Sequence, residues 1–163
     1  MKKYTLFLVS AFLCLTGTNR TFAQMVGTNV FLKGQFLEVG INNNGSFGAC
    51  SSSGTIPTGY HAATGAALAS VYDIGHDGWT TGTPPFLGDY TYPGSPFEGW
   101  EIQVGGGRVQ AFQNCPGTMT TSVGGLTVTG SNTGYTNTGG SAKAYWAGSA
   151  MGGQLLINKE TRI

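Results

Sequence analysis

The sequence predicts an all-β protein built as an antiparallel β-sandwich, and three observations support this fold class. Twenty-eight of the 163 residues are glycine, and each glycine in a helix interior costs about 1 kcal/mol relative to alanine. Past the N-terminal leader, the longest glycine-free stretch is the ten residues 154–163, which leaves little room for ordinary helices. Threonine, valine and aromatic residues suit half-buried strands, and apolar and polar residues alternate along several segments.

Alternation is clearest in residues 30–41, where Leu37, Val39 and Ile41 share one predicted face. The Asn-Asn-Asn-Gly sequence at 42–45 predicts a turn, because asparagine and glycine tolerate positive φ. Further strands are predicted at 68–73, 86–92, 99–104, 108–113, 126–129, 142–148 and 154–163.

The remaining segments are predicted from composition. Three glycines at 105–107 indicate a tight hairpin connection, and 62–70 is the one weak helix candidate. Residues 130–140 are mostly serine, asparagine, threonine and glycine, which predicts a loop or a weak edge strand. The final strand ends on apolar Ile163, so we expect the sandwich to be incomplete here and to continue in a longer protein. The alternative is a short last strand paired with an earlier one.

Residues 1–23 have the pattern of a secretory signal peptide. Lys2 and Lys3 precede the apolar run 4–15, and Thr21 and Ala23 supply small residues at positions −3 and −1 of a cleavage site. The apolar run is too short to span a bilayer as a stable helix. The alternative is an N-terminal core helix.

Cleavage would leave residues 24–163 as one glycine-rich sandwich region, with five basic and seven acidic side chains and a net charge of about −2. No basic cluster is present, so we expect no nucleic-acid partner. No later apolar stretch is long enough to span a bilayer, so we expect no membrane insertion after the leader is removed. We expect a secreted protein that is extracellular or at the cell surface, or periplasmic if it is retained there.

Three cysteines are present. Cys14 lies in the leader and follows Leu13, where lipidation would require a small residue, so we expect a non-lipidated product. Cys50 and Cys115 remain, and an exported protein permits a disulfide between them. Such a bridge would close a loop of 66 residues and contribute roughly 4 kcal/mol by chain entropy. The alternative is two buried free thiols, because spacing does not fix geometry.

Five sequence blocks carry a family resemblance: FLKGQFLEVGINNNGSFG at 31–48, GYH at 59–61, DGW at 77–79, GDY at 88–90 and PGSPFEGW at 93–100. Together they resemble the N-terminal region of large secreted, adhesin-like surface proteins of gliding bacteria, which are type IX secretion substrates. The resemblance implies an extracellular β-sandwich at the start of a multidomain surface protein. It also implies a sandwich that continues past residue 163 and a C-terminal sorting domain, which this sequence lacks.

One acidic cluster is a calcium candidate. Asp73 and Asp77 lie four residues apart, as oxygen ligands do in calcium loops, and Asp89 could complete the site. Gly75 at the third loop position and Pro84 at the twelfth exclude an EF-hand. The alternative is an acidic turn without a metal. We expect no other cofactor.

Large aromatic side chains crowd the segment 79–100, and four of them are glycan-binding candidates: Trp79, Tyr90, Tyr92 and Trp100. Exposed aromatic rings stack on the apolar faces of sugars, whereas buried ones are ordinary sandwich core. His61 and His76 are zinc candidates by residue type, but no cysteine or carboxylate spacing accompanies them. The alternative is that each is a surface or hydrogen-bonded histidine.

Catalytic signatures are absent from the sequence. It contains no nucleophile elbow, phosphate-binding loop, zinc-protease or dinucleotide motif. Glu98 and Glu101 are three residues apart, and if the predicted strand 99–104 extends back to Glu98 the two carboxylates would face opposite sides. We expect a non-enzymatic structural or interaction domain whose partners are surface glycans or other cell-surface proteins. The alternatives are a carbohydrate-binding module that uses the 79–100 aromatics and a fragment of a glycan-acting hydrolase that uses Glu98.

Overall fold

A computed structural model describes residues 21–50, 55–61, 67–73, 89–91, 99–114, 117–138 and 140–163. At 67, 89–91, 112–114 and 117–121 it describes the backbone alone. Strands make up most of these residues, and every strand pairing is antiparallel. The predicted all-β fold class is confirmed. No helix in the described ranges is long and apolar enough to cross a bilayer.

In chain order, the described strands are β1 (Phe22–Val26), β2 (Asn29–Lys33), β3 (Leu37–Ile41), β4 (Ala49–Cys50), β5 (Ala67–Leu68), β6 (Ser70–Tyr72), β7 (Asp89–Thr91), β8 (Gly99–Val104), β9 (Gly107–Asn114), β10 (Gly117–Val123), β11 (Val128–Thr138), β12 (Ser141–Ala150) and β13 (Leu155–Arg162). A short 3-10 turn at Met151–Gly153 joins the last two strands.

These strands form one large sheet and three smaller ones. The first sheet has the order β1-β2-β3-β6-β7, the second β10-β9-β8 and the third β11-β12-β13. Strands β4 and β5 form a two-stranded ribbon. The last predicted strand therefore pairs with the strand before it. In this register, Lys143 of β12 lies opposite Arg162 of β13, and Ala150 lies opposite Leu155.

The first and third sheets pack face to face around a common core. Leu32, Val39 and Ile41 of the first sheet contact Ala142 and Ala144 of β12, and all five side chains are buried. Burial of this apolar surface, at about 25 cal/mol per Å², is what holds the two layers together. The predicted face of Leu37, Val39 and Ile41 is confirmed, because all three belong to this core.

Strand β2 is buried on both faces. Leu32 points into the core between the sheets, whereas Phe31 packs with Ala49 and Leu68 beneath the β4–β5 ribbon. A third cluster, formed by Val109, Leu126 and Ala150, connects the second sheet to the third. The three apolar clusters thus join all the sheets that position the candidate site.

Both predicted turns are present. The backbone N–H of Gly45 donates to the carbonyl of Asn42 at 3.0 Å, and Gly45 has a φ of +79°. In the hairpin between β8 and β9, Gly105 has a φ of +57°. Glycine adopts such angles without the steric cost that a β-carbon imposes.

The structure differs from the sequence prediction at residues 130–140. Residues 130–138 belong to β11, an eleven-residue edge strand that pairs with β12. The edge-strand alternative is therefore confirmed and the loop alternative is wrong. Backbone pairing with β12 makes a strand of these polar residues, although few apolar side chains are available to pack.

Strands β1, β4 and β10 were not predicted, and the predicted segment 30–41 forms two paired strands, β2 and β3. The predicted cleavage site lies inside β1, where Ala23 pairs with Leu32 and is buried. Cleavage after Ala23 would leave Gln24–Val26 of this strand. Strand β10 is rich in threonine and serine and lacks clear alternation. Of the helix candidate 62–70, residues 67–68 and 70 lie in strands, and 62–66 fall outside the described residues.

Candidate functional site

The turn between β3 and β4 is fixed by buried side chains. Asn42 is fully buried and accepts the backbone N–H of Asn44 at 2.8 Å. Its side-chain amide donates to the hydroxyl of Ser46 at 2.9 Å, and that hydroxyl donates to Oδ1 of Asn44 at 2.6 Å. These bonds hold the turn in one shape and direct the carbonyls of Asn43 and Asn44 outward from it.

Two tryptophans from different sheets bind these carbonyls. Nε1 of Trp100, on β8, donates to the carbonyl of Asn44 at 2.7 Å. Nε1 of Trp146, on β12, donates to the carbonyl of Asn43 at 2.9 Å. The two indole rings contact each other, with centroids 5.2 Å apart and planes tilted by 59°. The turn of the first sheet is therefore joined to the second and third sheets through one aromatic pair.

Glycines surround the ring of Trp146, which is 4% exposed. A β-carbon at Gly45 would lie 2.9 Å from Cγ of this ring. Gly130 and Gly148 are cross-strand partners, and a β-carbon at either would overlap the far edge of the indole. The glycine content of these strands thus provides the space that a buried indole needs.

A cleft of about 280 Å³ opens beside the two tryptophans. Val109 and Val128 give it an apolar part, whereas Asn43, Asn44 and Thr129 bring amide and hydroxyl groups. None of the described residues that line it is ionisable. Trp100 is only partly buried, and Thr129 is exposed, so both an aromatic side chain and a hydroxyl group border the cleft.

Trp100 is the one sequence-predicted glycan candidate whose side chain the structure describes. Trp79 and Tyr92 lie outside the described residues, and for Tyr90, in β7, only the backbone is described. Sequence reasoning missed Trp146. A tryptophan followed two residues later by glycine in an alternating strand could have identified it, because that spacing places an open position beside the ring on the same face.

The structure describes the calcium candidates only in part. Asp73 is buried, and its backbone N–H donates to the carbonyl of Phe36 at 2.8 Å. Asp89 pairs with Val71 through the backbone, and Asp77 lies outside the described residues. In the part of the chain that the structure describes, no group of three or more His, Cys, Asp or Glu could hold a metal. The calcium site stays a prediction.

A buried carboxylate organises a second cluster, which we call the Glu38 cluster (Lys33, Glu38, Tyr60 and His61). Glu38 has no exposed side-chain surface, and its Oε1 lies 2.6 Å from Nζ of Lys33 and 3.0 Å from Nδ1 of His61. The backbone N–H of His61 donates to Oε2 at 2.6 Å. The zinc candidate His61 is thus bonded to Glu38, and His76 lies outside the described residues.

Tyr60 completes this cluster. Its ring makes edge contacts with Phe22 and Phe31, at centroid distances of 5.9 and 5.7 Å, and Nζ of Lys33 lies 5.4 Å from its centroid. Burial, and then the negative charge of Glu38, raise the pKa of the Tyr60 phenol above its ordinary value. The cluster attaches the segment 55–61 to the outer face of the first sheet.

The other predicted groups are partly described. Cys50 is disulfide-bonded, but Cys115 lies outside the described residues, so their pairing stays a prediction. Glu98 is also outside them. Glu101 is exposed on β8, where its carboxylate accepts the side-chain amide of Gln110 and lies 3.8 Å from Nε of Arg108. These are contacts of a solvated strand face.

Comparison of this chain with protein-family models, with characterised proteins and with solved structures finds no match. The functional argument therefore rests on the residues and geometry described above.

Proposed function

We propose that this chain is a non-enzymatic, extracellular structural and interaction domain of an adhesin-like surface protein. The observation that carries the proposal is the use of buried polar side chains to join strands, loops and sheets. A scaffold held in this way keeps surface loops and clefts in fixed positions for binding.

The polar edge strand β11 illustrates this use. The amide of Asn132 donates to the carbonyl of Thr28 at 2.8 Å and to that of Asn42 at 2.9 Å. Farther along, the amide of Asn137 donates to the carbonyl of Ala23 at 3.1 Å and accepts the N–H of the same residue. These bonds attach β11 to the first sheet where apolar contacts are few.

The Glu38 cluster has the same role on the opposite side of the first sheet. Its carboxylate forms an ion pair with Lys33 and accepts the backbone N–H of His61, so the buried charge serves to fix the segment 55–61. Glu38 is therefore interpreted as a structural carboxylate and not as a general acid or base, although it is the most deeply buried carboxylate described.

Export is supported by the signal-peptide pattern of residues 1–23 together with the disulfide at Cys50. Disulfides persist in oxidising compartments and are rare in the cytosol. Location at the surface of a gliding bacterium is inferred only from the family resemblance of the five sequence blocks between residues 31 and 100.

The test is expression of the full chain with its leader in an exporting bacterial host. We expect the protein outside the cytoplasm, with Gln24 as its N-terminus by mass spectrometry and with Cys50 and Cys115 in one cross-linked peptide. Purified protein coated on beads should bind host-cell or bacterial surfaces. The matched control is the chain that starts at Gln24, which should stay in the cytosol. Retention of the intact chain in the cytosol, or beads that bind no surface, would contradict the proposal.

A further inference from the structure

We propose that the cleft beside Trp100 and Trp146 binds a ring of a neutral saccharide. This inference rests on the proposed interaction function and names its ligand class. The proposed site differs from the one expected from the sequence. It combines Trp100 with Trp146, Asn43 and Thr129, and it does not use the aromatic residues of the segment 79–92.

Size and lining give the first argument. The cleft measures about 280 Å³, just below the roughly 300–1,000 Å³ typical of small-ligand sites. It therefore encloses one sugar ring and leaves the rest of an oligosaccharide in solvent. Its mixture of indole, aliphatic, amide and hydroxyl groups matches a ligand with an apolar face and a polar rim.

The second argument is the fixed orientation of Trp100. Its N–H is bonded to Asn44, and its ring contacts Trp146, so little side-chain entropy is lost when a ligand binds. The face of an aromatic ring carries negative potential, whereas one face of a pyranose presents C–H hydrogens with partial positive charge. Stacking of the two is favourable and removes apolar surface from water.

Hydrogen-bonding groups supply the third argument. Asn43 and the exposed Thr129 border the same cleft, and their side chains carry an amide and a hydroxyl group. Each can both donate and accept, as can sugar hydroxyl groups. A ring stacked on Trp100 would therefore meet polar partners at its edge, which fixes its orientation.

Charge selects a neutral ligand. Among the residues that the structure describes, none that lines the cleft is ionisable. Lys159 donates to the carbonyl of Gly45 in the neighbouring turn but is not among the lining residues. A uronate or sulfated sugar in the cleft would lose hydration without gaining a counter-charge, which is costly.

The experiment uses the full exported chain on a glycan array that holds neutral, uronate-containing and sulfated oligosaccharides. Titration of the neutral hits with tryptophan fluorescence then gives Kd. We expect neutral glycans to bind, Trp100→Ala to weaken binding by about tenfold or more, and Trp100→Phe to weaken it less because a ring is kept.

Two further variants separate binding from folding. Thr129→Val changes an exposed hydroxyl to a methyl group in a strand, and we expect weaker binding with an unchanged melting temperature. Tyr135→Ala is the control, since Tyr135 is 43% exposed on β11 and does not line the cleft; we expect no change in Kd.

Three outcomes would overturn the inference: no neutral glycan binds, only charged glycans bind, or binding is insensitive to both Trp100→Ala and Thr129→Val. If beads coated with the protein still bind cell surfaces in these cases, the interaction function stands and its ligand is a protein or a charged glycan. If the beads bind no surface either, the proposed function fails as well.

Discussion

The indole of Trp146 lies against Gly148, two residues later on β12, so closely that a β-carbon at Gly148 would stand 2.9 Å from Cζ3 of the ring and 2.7 Å from the carbonyl oxygen of Thr129. Glycine within a strand weakens it, because glycine loses more backbone entropy and offers no side chain to pack. Here the indole covers the glycine positions of two paired strands, as aromatic side chains do in sheets that contain glycine. The ring and the glycines are therefore one packing unit.

Gly148→Ala should destabilise the protein by about 1–3 kcal/mol, the usual cost of inserting a methyl group into a filled core. The methyl group would force Trp146 to shift, and with it the hydrogen bond to Asn43. Urea denaturation followed by tryptophan fluorescence measures the change in free energy of unfolding. The control is Gly106→Ala, because a β-carbon there meets no described atom within 4 Å. Equal stability of the two variants would contradict this packing argument.

Glu38→Gln should reduce the free energy of unfolding by about 3 kcal/mol, since removing one member of a buried ion pair leaves its partner poorly compensated. The substitution keeps the shape of the side chain and removes its charge. The matched control is Glu160→Gln, whose carboxylate pairs with Lys143 at 3.1 Å but is 45% exposed. For Glu160→Gln we expect the free energy of unfolding to fall by no more than about 0.5 kcal/mol. Similar losses in both variants would contradict the prediction that the buried ion pair of Glu38 stabilises the protein more than the exposed pair of Glu160.

The raised pKa of the Tyr60 phenol predicts a loss of stability at high pH. Its pKa is raised in the folded protein above the ordinary value of 10.0, so above pH 10 the unfolded chain releases this proton more readily than the folded one. The unfolded state then binds fewer protons, and stability falls as pH rises. The stabilisation that the Tyr60 phenol contributes to folding is fully present below pH 10 and decreases above it.

Tyr60→Phe removes that titrating group. We expect its free energy of unfolding to fall less than that of the wild type between about pH 9 and about pH 11, the range around the ordinary tyrosine pKa. Denaturation curves at several pH values measure this, and the difference at neutral pH serves as the baseline. Parallel pH profiles for the two proteins would refute the prediction.

Asn132→Asp tests the attachment of β11 to the first sheet. Asn132 is 6% exposed, and its amide nitrogen donates to the carbonyls of Thr28 and Asn42. A carboxylate cannot donate and would face carbonyl oxygens in a buried site, so we expect a loss of about 3 kcal/mol or more. Asn158→Asp, at an exposed position of β13, is the control and should change stability little. Thermal unfolding monitored by far-UV circular dichroism distinguishes the two.

Some features of the fold follow from local sequence. The face shared by Leu37, Val39 and Ile41, the turn at 42–45 and the β8–β9 hairpin depend on alternation and on glycine or asparagine at set positions. Strand β11 was harder to predict, because its composition is that of a loop and its strand conformation depends on pairing with β12. Strand β1 was missed since its sequence overlaps the signal-peptide pattern.

By itself, then, the sequence determined that helices are disfavoured and where most of the strands lie, because these properties depend on neighbouring residues along the chain. Only the tertiary structure decided that Trp100 and Trp146 meet at the turn 42–45, that Glu38 binds His61, and that Asn132 joins two sheets. These contacts bring together residues from different sheets or from a sheet and a distant loop, and their formation depends on how the sheets pack. Local patterning holds no information about that arrangement.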